Sequence, residues 1–497
     1  MTQADDFIRV HAPQVNSRWY PRFHVAPPVG WCNDPNGLSY FAGRYHLFYQ
    51  FYPYKPQWGP MHWGHASSSD FLHWQHEPVA LFPDQTYDAG GCFTGSAIVH
   101  DDNLCLLYTG HVDLPIKPNQ PDRIEVQCLA KSTDGIHFHK MPQNPVIPLP
   151  KEAPTAIEHH FRDPKVWRHE GLYYAVVGAQ TPAHTGQALL FSSSNLIDWN
   201  YLGVMAKARG NEGFMWECPN FAEFDGQEAL ILSPQGVKPE GYLYHNLHQS
   251  VAVLGNMDYA KGVFQRGEFQ PLDYGFDFYA PQVLQMSADR AVFIGWMTMW
   301  ESSLSESVDG WAGCMTVPRE LHVKNRHIVT HPAEELKKLR LQAYPHATMD
   351  FEQVFSFAPW NQETGELEAD FDLQQSEGLM LYFQDSGETL VRLEISNTGM
   401  VKLSRKNLTG EGEEERVADL QAVSAATSHT STVHLQIYQD RSSLEIFLNH
   451  GAVVFSTRYY PQTSQRSLKF LPQAGNVRLL QGTFYTLDSA ISMGTVL

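Results

Sequence analysis

The sequence has little of what would place it on a nucleic acid, in a membrane or around a metal. Lys and Arg number 35 against 54 Asp and Glu, a formal net charge of −19. A chain without a basic surplus lacks the electrostatic attraction that binds phosphate backbones and anionic lipid. No stretch approaches the roughly 18 consecutive apolar residues that span a bilayer. The opening residues, MTQADDFIRV, carry early acids where a secretory leader has a basic start and an apolar core. The expectation is a cytoplasmic protein with neither nucleic acid nor membrane as partner; oligomeric state is not legible. Cysteine is scarce: Cys32, Cys92, Cys105, Cys128, Cys218 and Cys314 form no CxxC or CxxH pair, which points to reduced thiols rather than a disulfide framework or a zinc site. There is no GxSxG elbow and no nucleotide-binding glycine loop. The histidine clusters (His62, His65, His73 and His76; His137 with His139; His159 with His160) fall in segments that read as strand and turn, away from the helical HxxxH spacing of a metal site. No metal is expected.

What the chain does have is aromatic, strand-forming sequence, 12 % Phe, Trp and Tyr with 12 Trp, in 497 residues, enough for two domains. Three segments read alike: Ser68-Ser-Asp-Phe-Leu-His-Trp74, Ser132-Thr-Asp-Gly-Ile-His-Phe138 and Ser193-Ser-Asn-Leu-Ile-Asp-Trp199. Their closing aromatics recur at intervals of 64 and 61 residues, the mark of a repeated supersecondary unit. A hairpin pattern precedes each, near 38–51, 96–110 and 165–178, and two more follow near 220–233 and 282–297. Five such units predict an all-β fold, a five-bladed propeller over 1–332, which buries the sheet edges an open all-β chain would expose. AEELKKLRLQ is the best short helix pattern and is expected to form a helical linker over 333–345. Alternating strands beyond it predict a β-sandwich over 346–497.

Three acidic motifs stand at the start of different predicted blades: Trp31-Cys-Asn-Asp-Pro-Asn-Gly37, Phe161-Arg-Asp-Pro164 and Trp216-Glu-Cys-Pro219. Each has a plain structural reading as a turn, a local ion pair or a strand edge. Their joint spacing, 129 and then 54 residues, is two blade steps and one, which would aim Asp34, Asp163 and Glu217 from equivalent positions into one funnel. Crowded carboxylates split their pKa values, leaving one as acid and another ionised as nucleophile or base. Glycoside cleavage requires such a pair.

These motifs resemble those of glycoside hydrolase family 32, the invertases and fructan hydrolases. The resemblance is carried by His24-Val-Ala-Pro27, the Trp31–Gly37 motif, Phe48-Tyr49-Gln50, Gln57 to His65, Phe93-Thr-Gly-Ser96, Phe161–Pro164, Trp216–Pro219, Asp277 to Gln282, Gly295-Trp-Met297 and Trp311 to Leu321. Within the family it runs toward the intracellular bacterial sucrose and sucrose-6-phosphate hydrolases. It implies a five-bladed propeller followed by a β-sandwich, no cofactor, a small sugar as partner, and retaining cleavage of a β-fructofuranosyl bond. Asp34 would be the nucleophile, Glu217 the acid and then base, and Asp163 the stabiliser. Asn33, Gln50, Trp58, Phe93, Thr94, Arg162 and Trp296 match sugar-contacting positions. Cys32 and Thr94 depart from the residues usual there, conservatively in bulk. Two other readings stand beside this one: an exo-hydrolase of fructans or fructo-oligosaccharides, and a sugar-binding propeller without catalysis. A phosphorylated substrate would call for a cation at the funnel rim, with Lys55 and His111 as candidates.

Overall fold

A computed structural model describes residues 2–117, 122–151, 153, 160–357, 360, 362–409, 412–424 and 431–491. His159 lies outside them. Five antiparallel sheets follow one another along the chain. Their inner strands are Gly30–Phe41, Gly91–His100, Phe161–His169, Met215–Phe224 and Tyr279–Ser287. Each is hydrogen-bonded to the next strand in sequence by the short hairpin its sequence predicts. Apolar side chains on facing blades form separate cores, one between each neighbouring pair; Cys105, Leu107, Val177 and Phe191, for example, join blades two and three. A buried side chain of this size contributes about 1.5–3 kcal/mol. The ring is sealed where Trp311–Ala312, from the excursion after the second strand of blade five, pairs in parallel with Gly30 and Trp31 of blade one.

The sequence repeat is the turn between the third and fourth strands of blades one to three. Asp70 Oδ1 accepts from the amides of Leu72 (3.1 Å) and His73 (2.8 Å). Asp134 and Asn195 accept from the two corresponding amides in their own blades. The next residue in each turn, Phe71, Gly135 or Leu196, has a positive φ of 68°, 77° or 65°. An Asx-type turn therefore dictates the repeat. His73 and His137 are consumed there, paired with Asp70 and Asp134.

One expectation changes. The segment 333–345 is helical only in part: a short 3-10 helix over Glu334–Leu339 buries Leu336 and Leu339, and the chain then enters the sandwich as strand Arg340–His346, paired with the last strand. Packing of two leucines under the propeller, not helix propensity, sets its shape. The N-terminal segment, read in the sequence only for its early acids, forms a helix over Gln3–His11 with a Thr2/Asp5 capping box.

In the C-terminal domain two long strands, Gly365–Asp385 and Arg466–Leu487, pair with each other along most of their length and turn a corner near Asp372–Gln375. Their first and second halves pair outward to different strands, which makes two facing layers around a core including Leu367, Leu381, Leu435, Ile446 and Phe470. His24 of the HVAP segment joins the domains: fully buried, its ring contacts Asp440 and Glu445 of the sandwich, each at 2.8 Å, and Arg319 binds Glu445 and Asp273.

Candidate active site

The five inner strands carry one four-residue pattern at one level. Reading round the ring, it is Asn33-Asp34-Pro35-Asn36, Phe93-Thr94-Gly95-Ser96, Arg162-Asp163-Pro164-Lys165, Glu217-Cys218-Pro219-Asn220 and Tyr279-Ala280-Pro281-Gln282. Strand pairing slips at this point in every blade. Proline cannot donate to the ladder, and a bulge accommodates it. Bulges re-aim side chains, and the residues before the last three prolines pass through positive φ, 67° at Asp163, 47° at Cys218 and 51° at Ala280. The expectation that the three acids occupy equivalent positions is thereby corrected. Asp34 and Asp163 are equivalent, but their counterpart in blade four is Cys218, and Glu217 stands one residue earlier, level with Asn33, Phe93, Arg162 and Tyr279.

The offset separates two environments. At the deeper level Cys218 lies between the two aspartates: its amide donates to Asp163 Oδ2 at 2.9 Å, and its Sγ is 3.5 Å from Asp34 Oδ2 and 3.6 Å from Asp163 Oδ2. Thr94 Oγ1 donates to Asp34 Oδ2 at 2.7 Å and Asn33 Nδ2 to Oδ1 at 3.1 Å. Burial raises Asp34 above the usual carboxylate range, against these hydrogen bonds. Burial also raises Asp163, well above that range; the Arg162 charge opposes the rise, and the charges of Glu217 and Asp34 add to it.

At the outer level Arg162 donates to Glu217 Oε1 through Nη2 at 2.8 Å and Nε at 3.1 Å, Gln235 donates to Oε2 at 2.8 Å, and the Tyr279 hydroxyl donates to Oε2. Burial pushes Glu217 up, but the Arg162 charge and the Tyr279 hydroxyl outweigh it and hold Glu217 below the ordinary range. The two directions are opposite to those expected for an acid at Glu217 and a nucleophile at Asp34. Arg162 is in turn held by Glu125, which the sequence reading missed. Glu125 is buried and kept ionised, down to about 2: burial opposes its charge, and Arg162, His111 and the Phe161 amide overcome that.

The remaining sugar-contact candidates divide. Gln50 is buried in blade one and donates to Cys92 O at 3.0 Å. Trp58 is 46 % exposed and meets the edge of Phe93, which stacks on His111 at 4.0 Å. His111 is thus no rim cation: it is buried beneath Phe93 and engaged by Asp113 and Glu125. Lys55 is exposed. Trp296 is fully buried, packed against Cys218, Tyr279 and Ala280 behind Trp31 and Trp300, so it backs the wall instead of presenting a face to a sugar. Tyr279 and Gln235 were missed as well. The signal for Tyr279 was present: it precedes Ala280-Pro281 as Glu217 precedes Cys218-Pro219.

Below the acids, the fourth residue of each pattern is polar and buried. Lys165 Nζ donates to Gln282 Oε1 at 2.9 Å and to Val283 O, Gln282 Nε2 to Gly95 O at 3.1 Å, Ser96 Oγ to Pro164 O at 2.7 Å, and Asn220 Nδ2 to Pro281 O at 3.0 Å. These bonds cross between blades and hold the strained bulges in place. Elsewhere His65 meets His46 at 3.0 Å and His76 meets the Tyr49 hydroxyl at 3.3 Å. Among the described residues no group of His, Cys, Asp and Glu is arranged to hold a metal ion.

Paired carboxylates in two environments, at the end of a propeller axis beside exposed aromatic surface, define a glycoside hydrolase. The chain belongs to glycosyl hydrolases family 32: the N-terminal domain of that family matches residues 24–332 and its C-terminal domain residues 319–486. It is 40 % identical over 489 residues to the sucrose-6-phosphate hydrolase of Escherichia coli, covering 96 % of this chain and 97 % of that one. It is 39 % identical over 479 residues to the raffinose invertase of Escherichia coli, covering 94 % and 95 %. Among solved structures it is similar to the GH32 beta-fructofuranosidase BmSUC1 of Bombyx mori, a mutant in complex with sucrose, at TM-score 0.85 and 34 % identity over 99 % of this chain and 98 % of that one.

Proposed function

We propose that this protein hydrolyses the β-fructofuranosyl bond of sucrose or sucrose 6-phosphate with retention of configuration. The observation that carries the reading is the convergence of Asp34 and Asp163 at one level of the propeller axis, joined through Cys218, with Glu217 one residue above. Asp34 attacks the anomeric carbon as Glu217 protonates the departing glucosyl oxygen, and a fructosyl-enzyme ester forms. Glu217 then takes a proton from water, which releases β-fructose and frees Asp34. Asp163, anchored by the Cys218 amide, accepts hydrogen bonds from fructose hydroxyls that strengthen as charge develops on the ring.

Sugar binding has to move both groups the other way, Glu217 up and Asp34 down. Hydroxyls donating to Asp34 and Asp163 stabilise their ionised forms, and a sugar that displaces water around Glu217 favours its protonated form. The proton then stands where the leaving oxygen needs it. A reducing interior suits six free, buried thiols, and we place the reaction in the cytoplasm. NMR of the first product anomer, with initial rates on sucrose, 1-kestose and inulin, tests the reading. It expects β-fructose and sucrose preferred. Initial α-fructose would overturn retention, and faster inulin cleavage would overturn the substrate.

A further inference from the structure

We propose that the N-terminal helix, Gln3–His11, belongs to the sugar site: Phe7 positions the Trp58 platform through Tyr54 and Tyr52. The inference rests on the proposed function, in which Asp34 attacks the fructosyl unit, and on Trp58 presenting a face to that unit. Phe93, which Trp58 meets edge-on at 6.3 Å, immediately precedes Thr94, the donor to Asp34. The two rings therefore stand on the Asp34 side of the funnel, where the fructosyl unit is held.

Trp58 sits in the loop that joins the second and third strands of blade one, and the loop's own backbone does little to fix it. From Pro53 to Pro60, among the described residues, the backbone makes one hydrogen bond to backbone, Gln57 N to Lys55 O at 2.8 Å. Side chains hold the loop instead. The Tyr52 ring lies against Gly59, where a Cβ would come within 2.7 Å of it, so the residue after Trp58 rests directly on that ring. The backbone of Tyr52 pairs with Trp31, whose indole donates to Asn33 Oδ1 at 2.8 Å beside Asp34. At the far end of the loop His62 Nδ1 donates to Pro60 O at 3.0 Å.

Tyr54 joins these supports to the helix. Its ring meets Tyr52 at 5.6 Å, His62 at 5.8 Å and Phe7 at 5.1 Å, edge-on in each case. Edge-to-face pairs favour one relative orientation, so each ring restricts the next. Phe7 has a firm seat. It stacks on His11 at 3.8 Å, Asp5 Oδ1 accepts the Val79 amide at 2.9 Å, and Ala4, Ile8 and Ala12 are buried in a core that includes Tyr49, Phe51 and Val79. A helix packed on blade one is thus connected to an exposed aromatic of the funnel by the succession Phe7, Tyr54, Tyr52 and Gly59. Without Phe7, Tyr54 and Tyr52 gain freedom, and the sugar itself has to order Trp58, which costs binding. That cost falls on the bound substrate and the transition state alike, so KM rises and kcat stands.

Steady-state kinetics on sucrose decide it, with the full-length enzyme and its Phe7→Ala, Phe7→Tyr, Tyr54→Ala and Trp58→Ala variants and the Phe7→Ala/Trp58→Ala double variant. Phe7→Ala and Tyr54→Ala should each raise KM about three- to tenfold, the worth of one aromatic pair, with kcat within about twofold of wild type. Competitive inhibition by fructose should weaken in step. Phe7→Tyr keeps the ring and should restore the wild-type KM. In the Trp58→Ala background Phe7→Ala should change KM no further, because a residue that acts through Trp58 has nothing left to position. An unchanged KM in both Phe7→Ala and Tyr54→Ala, a fall in kcat in place of the rise in KM, or a Phe7→Ala effect that adds in full to that of Trp58→Ala overturns the inference. A wild type that releases no fructose from sucrose would instead overturn the proposed function on which it rests.

Discussion

Arg162 holds Glu217 by two hydrogen bonds to the same oxygen, Oε1, at 2.8 and 3.1 Å, and is itself held from behind by Glu125. Through this chain of charges, Arg162 holds the Glu217 carboxyl below the ordinary range. Replacing Arg162 with Gln removes that charge, so the Glu217 pKa rises and the protonated acid survives to higher pH. The alkaline limb of kcat/KM, which reports the free enzyme, should move upward, while kcat falls about 10²–10³-fold with the loss of a positioned donor. An unmoved alkaline limb would remove Glu217 from the role of acid.

The same reasoning separates two profiles in the wild type. Glu217 is held low in the empty site but must be protonated in the complex, so the alkaline limb of kcat should lie at higher pH than that of kcat/KM. Coincident limbs would show that sugar binding leaves the Glu217 pKa where it is. Glu217→Gln should lower kcat about 10²–10⁴-fold with melting temperature nearly unchanged.

Thr94 acts on the nucleophile in the opposite direction. Burial raises Asp34, and the 2.7 Å bond from Thr94 opposes the rise. Thr94→Val keeps the shape and removes the donor. Since Asp34 must be ionised to attack, the acid limb of the rate profile should shift upward by about one to two pH units, the equivalent of one hydrogen bond to a charged acceptor. An acid limb that stays in place would show that another group governs it.

His24 provides a stability test away from the sugar. Burial works against its charge, yet hydrogen bonds and charge from Asp440 and Glu445 raise it to about 9. A raised histidine stabilises the fold fully below its ordinary value of 6.5 and loses that contribution as pH rises through about 9, with about 3 kcal/mol at stake. Thermal melts should show the gap between wild type and His24→Asn closing from pH 6.5 toward pH 9 and beyond. A gap constant across that range would mean that His24 acts by packing alone.

Much of the architecture was legible because it is repetitive. An Asx turn demands Asp or Asn at one position and holds the next residue at positive φ, so Asp70, Asp134 and Asn195 announce their blades in one dimension. Periodicity assigned Asp34, Asp163 and Glu217 to the starts of three blades but not the one-residue offset of Glu217. The 333–345 segment was not: its Glu and Lys favour a helix, but Leu336 and Leu339 are drawn into a core shared with Phe23 and Phe447, and that burial outweighs local propensity.

By itself the sequence determined the number of blades and the acids at the start of three of them, because these depend on local turn chemistry and alternation. Only the tertiary structure decided what those acids do to one another. That Cys218 and not Glu217 is the counterpart of Asp163, that Glu125 stands behind Arg162, and that His111 and Trp296 are buried away from the rim follow from contacts between blades. Such contacts set desolvation and the distance between charges, quantities that residue order does not carry.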